Sequence, residues 1–528
     1  MLSNSVEQGS FYDPEFVCDQ LIPEDSFYRK FKEKVNPLVT DEMFESMYCL
    51  DNGRPPISPA LLARATILQF HRNLSDRDME RACMFDIEVK FALGLRLDER
   101  PFDHSSLGDF RKRLLQSGKE KEVFDRLIEK LVGDGLIGKE ESQRIDATHV
   151  IADIALPTMV VMVKKGVRGV LVALKKRHAR SYKALNKKLD LSDYDHRTVN
   201  HEVDGRLDME SKQKKLMEVV SDARIVLRKT ETIQNDKTLS RQVELLKRIL
   251  REHMTEDENG KPKEKVKKEK PPNLLVSPID PDARFGAKSK IKKFHGYKAN
   301  ITETVKSRFI ASVQAMPGNQ RDGAVTVEAM LEQKPHGITP EKLIGDTAYS
   351  DGAYRKALKE NGTQMVAPLR IGNNITKAVF PKRMFDYNKE KNTLTCPAGF
   401  TISQTFRDHQ KDISVFHYPV TKCGPCELLS QCTNAKEKRR VVGIGPAHAE
   451  LREAEIYNRT DQFKQDMKLR QAVEGKLSEM KRYHGLTRAR FRGLKKFALQ
   501  CYFTAVAVNI KRWIKLESMN SPPEPAPT

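Results

Sequence analysis

Long apolar runs are what this chain lacks most. None of its 528 residues falls in the roughly eighteen consecutive apolar positions that span a bilayer, so no transmembrane helix is expected. The first residues, MLSNSVEQGSFYDPEF, carry no basic stretch ahead of an apolar core, so export is not expected either. Cysteine is sparse: eight residues are too few for a disulfide scaffold at this length and fit a cytoplasmic compartment. Cys18, Cys49, Cys83 and Cys501 are scattered among apolar residues and read as small buried hydrophobes. Acid is short relative to base, 72 residues against 93, which gives a net charge of +21 and a pI near 9.4. That balance favours a polyanionic partner, and without a membrane segment nucleic acid is the better one.

Residues 1–53 read as irregular with a short helix, and 54–142 as a compact helical module. Ser58 before Pro59 and Ser75 with Asp78 are helix-start signals. A further helix from Ser105 or Ser106 carries Arg111, Lys112 and Arg113. A basic member among short helices suits either a helix-turn-helix-like DNA reader or a bundle for dimerisation. Period-2 alternation of Asp146, Thr148 and Val150 with Ile145, Ala147 and His149 predicts a strand over 143–156. Further strands are expected at 292–304, 308–316, 342–346 and 363–370, with a helix at 322–334. Gly296 suits a bulge or a close backbone approach. Residues 157–275 form a helical insertion ending in a charged, Pro-containing linker that should be flexible. Residues 161–270 hold about half of the net charge, either a solvated face or a phosphate-tracking arm.

Residues 371–445 form a second insertion. It contains Cys396, Cys423, Cys426 and Cys432, with 26, 2 and 5 residues between them. Four thiolates suit a tetrahedral structural zinc, the alternative being four unrelated reduced thiols. The chain should end in an apolar helix, 494–515, and a disordered tail, 517–528.

Three acidic residues stand in distinctive settings: Asp146 in RIDATHV, Asp346 in LIGDTAYSDGAY and Glu474 in RQAVEGKLSEMKRYHG. A helix over 447–483 would put Arg470, Glu474 and Lys481 within roughly 60° of one face. Leu469, Val473, Leu477 and Met480 would form the stripe that docks it on a sheet. For an isolated helix, a solvated charged face would be the simpler reading.

These segments resemble the DDE transposases of bacterial insertion sequences, in the branch with a Y-R-E-K signature helix. The resemblance covers most of residues 54–515. Met467, Arg470, Glu474 and Lys481 occupy the four signature positions, Met467 standing where the family has Tyr. FHGYKANITETV, MPGNQRDG and the segment from Tyr483 to Trp513 add to the likeness. The resemblance implies an α/β fold, a ribonuclease H-like mixed sheet flanked by helices, built from 143–156, 276–370 and 446–516. It implies catalysis by Asp146, Asp346 and Glu474 holding two Mg²⁺ (or Mn²⁺) ions. Transposon ends and target DNA would be the partners, with Arg470, Lys481, Arg284, Lys288, Lys298, Arg111 and Arg113 touching DNA. A homodimer in the DNA complex and a nucleoid-associated location follow from the same likeness. A nuclease without strand transfer and a non-catalytic DNA-binding derivative are the alternatives.

Overall fold

The computed structural model describes residues 18–19, 21–48, 56–200, 208–233, 235–288, 291–369, 380–410 and 412–520. Cys49 and the expected tail beyond residue 520 lie outside these. Its centre is a mixed six-stranded sheet: β1 (Gln143–Ile151), β2 (Arg284–Ala287), β3 (Lys293–Thr304), β4 (Ile310–Pro317), β5 (Lys342–Ile344) and β6 (Gln364–Val366). The order is β2-β3-β1-β5-β6, with β4 also paired to β3. β1 runs antiparallel to β3 and parallel to β5, and β5 runs parallel to β6. This curled mixed sheet is of the ribonuclease H-like kind. β1 stops at Ile151, short of the expected residue 156, because there the chain turns out into the insertion.

Between residues 27 and 133 the regular elements are all helical. Ser58 caps helix Pro59–His71, and Ser75 and Asp78 form a reciprocal capping box on helix Asp76–Phe85. The basic helix begins at His104, one residue early, because Asp103 accepts the Ser105 N–H and serves as its cap. These helices bury Phe70, Phe110 and Leu127 in the same apolar core as Val150, Ile301 and Val313 of the sheet. The long helix Leu494–Asn520 lies between the two, five residues longer than expected. Its Asn509 side-chain amide accepts from Ile310 N–H at 2.8 Å and donates to Ile310 O at 2.9 Å, closing the free edge of β4.

The segment after β1 folds on itself. Helices Met159–Arg177, Met209–Thr230 and Lys237–His253 surround a separate core that includes Val163, Val167, Leu246 and Ile249. The first part of the expected flexible linker, to Glu264, is instead in an ordered hairpin, Met254–Glu256 with Pro262–Glu264. The Asp257 carboxylate accepts the N–H groups of Asn259 and Lys261, and Gly260 takes a positive φ of 73°. That turn chemistry outweighs the charge and proline content on which flexibility was expected. The second insertion carries two three-stranded sheets around Phe385, Leu394, Phe416 and Tyr418.

Gly296 is where β3 crosses β1 most closely. Its φ is 148°, and a Cβ there would sit 2.2 Å from Val150 O and 2.6 Å from Ala152 N. Backbone cannot swing aside as a side-chain end can. Gly296→Ala should therefore cost about 2 kcal/mol or more in urea unfolding. A change within experimental error would mean that β1 and β3 can separate freely at this point.

Candidate active site

Asp146 lies in the middle of β1, and Asp346 two residues past β5, its parallel neighbour. Both are fixed in the same way. Asp146 Oδ1 accepts the Ala147 N–H at 2.8 Å, and Asp346 Oδ1 accepts the Ala348 N–H at 2.7 Å. Each Oδ2 is left to face a single cation. Arg470 Nη2 stands 3.1 Å from Asp146 Oδ2 and 3.9 Å from Asp346 Oδ2, and Nη1 stands 3.7 Å from Glu474 Oε1. Three carboxylates from distant parts of the chain thus converge on one guanidinium. Asp146 is largely buried, Asp346 partly open and Glu474 mostly exposed.

The helix expected over 447–483 is three helices: His448–Tyr457, Asp461–Arg470 and Ala472–Arg482. The break at Gln471 has an identifiable cause. Arg144 of β1 donates to Leu469 O at 2.8 Å, and Arg308 donates to Ala472 O at 3.5 Å, so guanidinium groups enter the helical ladder. Arg144 Nε also donates to Glu303 of β3 at 2.7 Å, where both side chains are almost wholly buried. Lys476 stands 3.9 Å from Oε1 of the same Glu303, the oxygen that Arg308 also approaches, at 3.3 Å. Val473, Leu477 and Met480 pack into the core as their spacing predicts. Leu469 is instead exposed, because the break turns it outward.

The expected basic residues divide. Lys481 and Lys288 are neighbours: burial pushes the Lys481 ammonium down, and Lys288 adds to that. His149 is lowered by burial and then by Lys481, Lys288 and Lys298, which places these cations around one point on β1. Lys298 donates to Gln320 O at 2.9 Å and to Asp322 at 2.6 Å. Arg284 and Arg111, expected to touch DNA, are buried with partners inside the protein. Arg284 is buried and donates to Asn273 and to the carbonyls of Pro281 and Ala283. Arg111 is buried, bonded to Asp76 and stacked over Phe491. Arg113 remains exposed, its guanidinium 4.6 Å from the centre of the Tyr48 ring.

Sequence reasoning missed Arg144, Glu303, Lys476 and Asp322. Asp322 is a fourth acid close enough to raise Asp146. Glu303 had a signal, an acid inside the apolar alternation of β3.

Cys396, Cys423, Cys426 and Cys432 line one cavity of about 50 Å³ with Phe400, Tyr418 and Arg440. All four are free thiols. The Phe400 N–H points at Cys396 Sγ at 3.4 Å, and Cys426 N–H closes a turn onto Cys423 O. Among the described residues, only Glu80, Asp103 and His104 bring three potential ligand atoms within 4.8 Å of one another. The carboxylate triad and the thiols are gathered more loosely.

A family profile described as a transposase domain matches residues 16–113, and one described as a transposase DDE domain matches residues 395–514. The two matched domains are those of a DDE transposase. The chain is therefore an enzyme of metal-dependent phosphoryl transfer on DNA. The DDE match contains Glu474 and the four clustered cysteines. No curated protein and no solved structure matches this transposase. No helix of the described residues is long and apolar enough to cross a membrane.

Burial makes the Asp146 charge costly to the fold. It pushes the Asp146 carboxyl up to about 6, even though Arg470 and the Ala147 N–H pull it down, and Asp346 and Asp322 push it further up. A carboxyl whose folded-state value is raised costs nothing below about pH 4, where both states are protonated. The cost grows as pH rises toward 6 and persists above it. Metal-free Asp146→Asn should thus match wild type in urea unfolding at pH 4. At pH 7 it should be more stable by about 3 kcal/mol. Equal stability at both pH values would show that Arg470 fully offsets the burial of the charge.

Proposed function

We propose that this transposase binds the terminal repeats of its own element and cuts and rejoins DNA at Asp146, Asp346 and Glu474. The observation that carries the reading is the convergence of all three carboxylates on Arg470. Oxygen donors already turned toward one positive group are the donor set that Mg²⁺ or Mn²⁺ takes. Two divalent ions bound there would activate the attacking oxygen and stabilise the leaving one.

The chain's own residues do the rest. Asp146 and Asp346 are oriented by backbone N–H groups, so their free oxygens need little rearrangement to act. Glu474, on the exposed side, closes the set from the signature helix. We assign Lys481 and Lys288, which stand beside His149 three residues along β1 from Asp146, to phosphates of the bound strand, where they would fix its register. Arg113 is the remaining exposed candidate on the N-terminal helices, which we assign to end recognition within 54–142. Met467 supplies no hydroxyl, so the contact that Tyr would make from the signature helix is absent in this chain. The DNA-bound form is read as a homodimer, one protomer per transposon end.

Glu474→Gln and Asp346→Asn should reduce cleavage and strand joining below detection while end binding stays at the wild-type level. A cleavage assay with a labelled target separates the alternatives. Cutting without joined product would make the chain a nuclease, and binding without cutting would make it a non-catalytic derivative.

We also infer a structural zinc at Cys396, Cys423, Cys426 and Cys432. Support comes from four free thiols gathered on one cavity. Six buried side chains form the core of this insertion, few for the residues it orders. Purified protein should contain one zinc per chain, and chelation should expose 380–444 to protease before the sheet. Protein free of zinc and equally resistant with chelator would exclude the site.

A further inference from the structure

From Ile154 to Leu189 the chain has ten Lys and Arg residues and no Asp or Glu. The fold decides where they go. Helix Met159–Arg177 runs antiparallel to Lys237–His253. Gly166 lies against Leu246 and Ile249, Gly169 lies against Gln242, and Arg177 meets Asp236 at 3.3 Å. The end of the first helix, the end of Met209–Thr230 and the start of Lys237–His253 therefore meet at one tip. The nineteen-residue first helix is about 28 Å long, so the tip lies a full helix length from Met159.

Lys175, Lys176, Arg180, Arg228, Lys229 and Lys237 are all exposed there. Among the described residues, none of the last five has a salt-bridge partner. Asp236, the acid inside the cluster, is occupied: it accepts the Thr238 and Leu239 N–H groups and pairs with His178 and Arg177. Exposed Glu231 is the other acid at this end. Helix dipoles account for part of the pattern, since cations favour the C-terminal turns that hold Lys175, Lys176, Arg228 and Lys229. They do not account for Arg180 and Lys237, which sit in the first turns of their helices, where a cation is disfavoured. Six exposed cations against one exposed acid cost self-repulsion unless a polyanion covers them.

We propose that this tip is a second contact for the DNA backbone, remote from the carboxylates and blind to sequence. The inference rests on the reading that the substrate is duplex DNA. Its chemistry suits phosphates rather than bases, since the side chains are flexible cations on a convex end with no element shaped for a groove. Phosphate contacts there would hold a duplex that extends past the cut while the chemistry proceeds at the sheet.

The test is a triple variant, Lys176→Glu, Arg180→Glu and Lys229→Glu, with a Gln version of the same three positions as a second variant. Binding to a long duplex is measured against salt without divalent metal, and cutting of a short end fragment with it. Each lost phosphate contact should make the slope of log affinity against log salt shallower by roughly 0.9 units, so by about three for either variant. Short-fragment cleavage should stay at the wild-type rate. A wild-type slope in both variants would overturn the tip contact while leaving the catalytic reading intact. A wild-type chain that binds through the tip but never cuts would overturn the catalytic reading and leave the tip standing.

Discussion

Glu303 is the charge on which the site's geometry depends. It is wholly buried in β3, and it faces Arg144 of β1, Arg308 at the following turn and Lys476 of the signature helix. Burying one carboxylate is expensive, and removing one partner from such a set typically costs about 3–5 kcal/mol because the others are left uncompensated. The set therefore behaves as a unit. It ties two strands to the helix that carries Glu474 and, through Leu469, to the helix that ends at Arg470. Arg144 and Asp146 are two residues apart on β1, so they share a face of the strand. The residue that anchors the helix and the residue that the helix serves are thus fixed by the same strand.

That anchoring explains why the helix breaks at Gln471. An unbroken helix would use the Leu469 carbonyl internally, but here Arg144 takes it. The break leaves Arg470 at the end of one helix and Glu474 in the first turn of the next. Arg470 then lies among three carboxylates. Its Nε is buried without a partner, so the side chain is held there by charge more than by a complete set of hydrogen bonds. The position strains the protein twice, through this orphaned donor and through the raised Asp146 carboxyl. Polar groups that a fold tolerates at such cost belong to function more often than to stability.

Much of this was legible in the chain itself. Alternation around Asp146 located β1, and the spacing of Val473, Leu477 and Met480 located the docking face of the signature helix. Motif context, not propensity, singled out Asp346 and Glu474. The misplaced cations and the helix break share one cause: sequence displays a charge but not its partner. Arg111 finds Asp76 across 35 residues, and Arg284 finds Asn273 across 11, so cations that looked free for DNA are internal. The helix break was invisible because its cause lies on β1, 325 residues away from Leu469. The start of the linker at 258–273 differed for a local reason. Its Asp-Glu-Asn-Gly turn was outweighed in the reading by the lysines around it.

The central claim is that Asp146, Asp346 and Glu474 form one divalent-cation site. Anomalous diffraction from crystals soaked in Mn²⁺ addresses it most directly. The account predicts a peak in contact with carboxylate oxygens of at least two of the three residues, lost in Asp146→Asn crystals. A peak confined to Glu80, Asp103 and His104, or no ordered Mn²⁺ near the sheet, would contradict it.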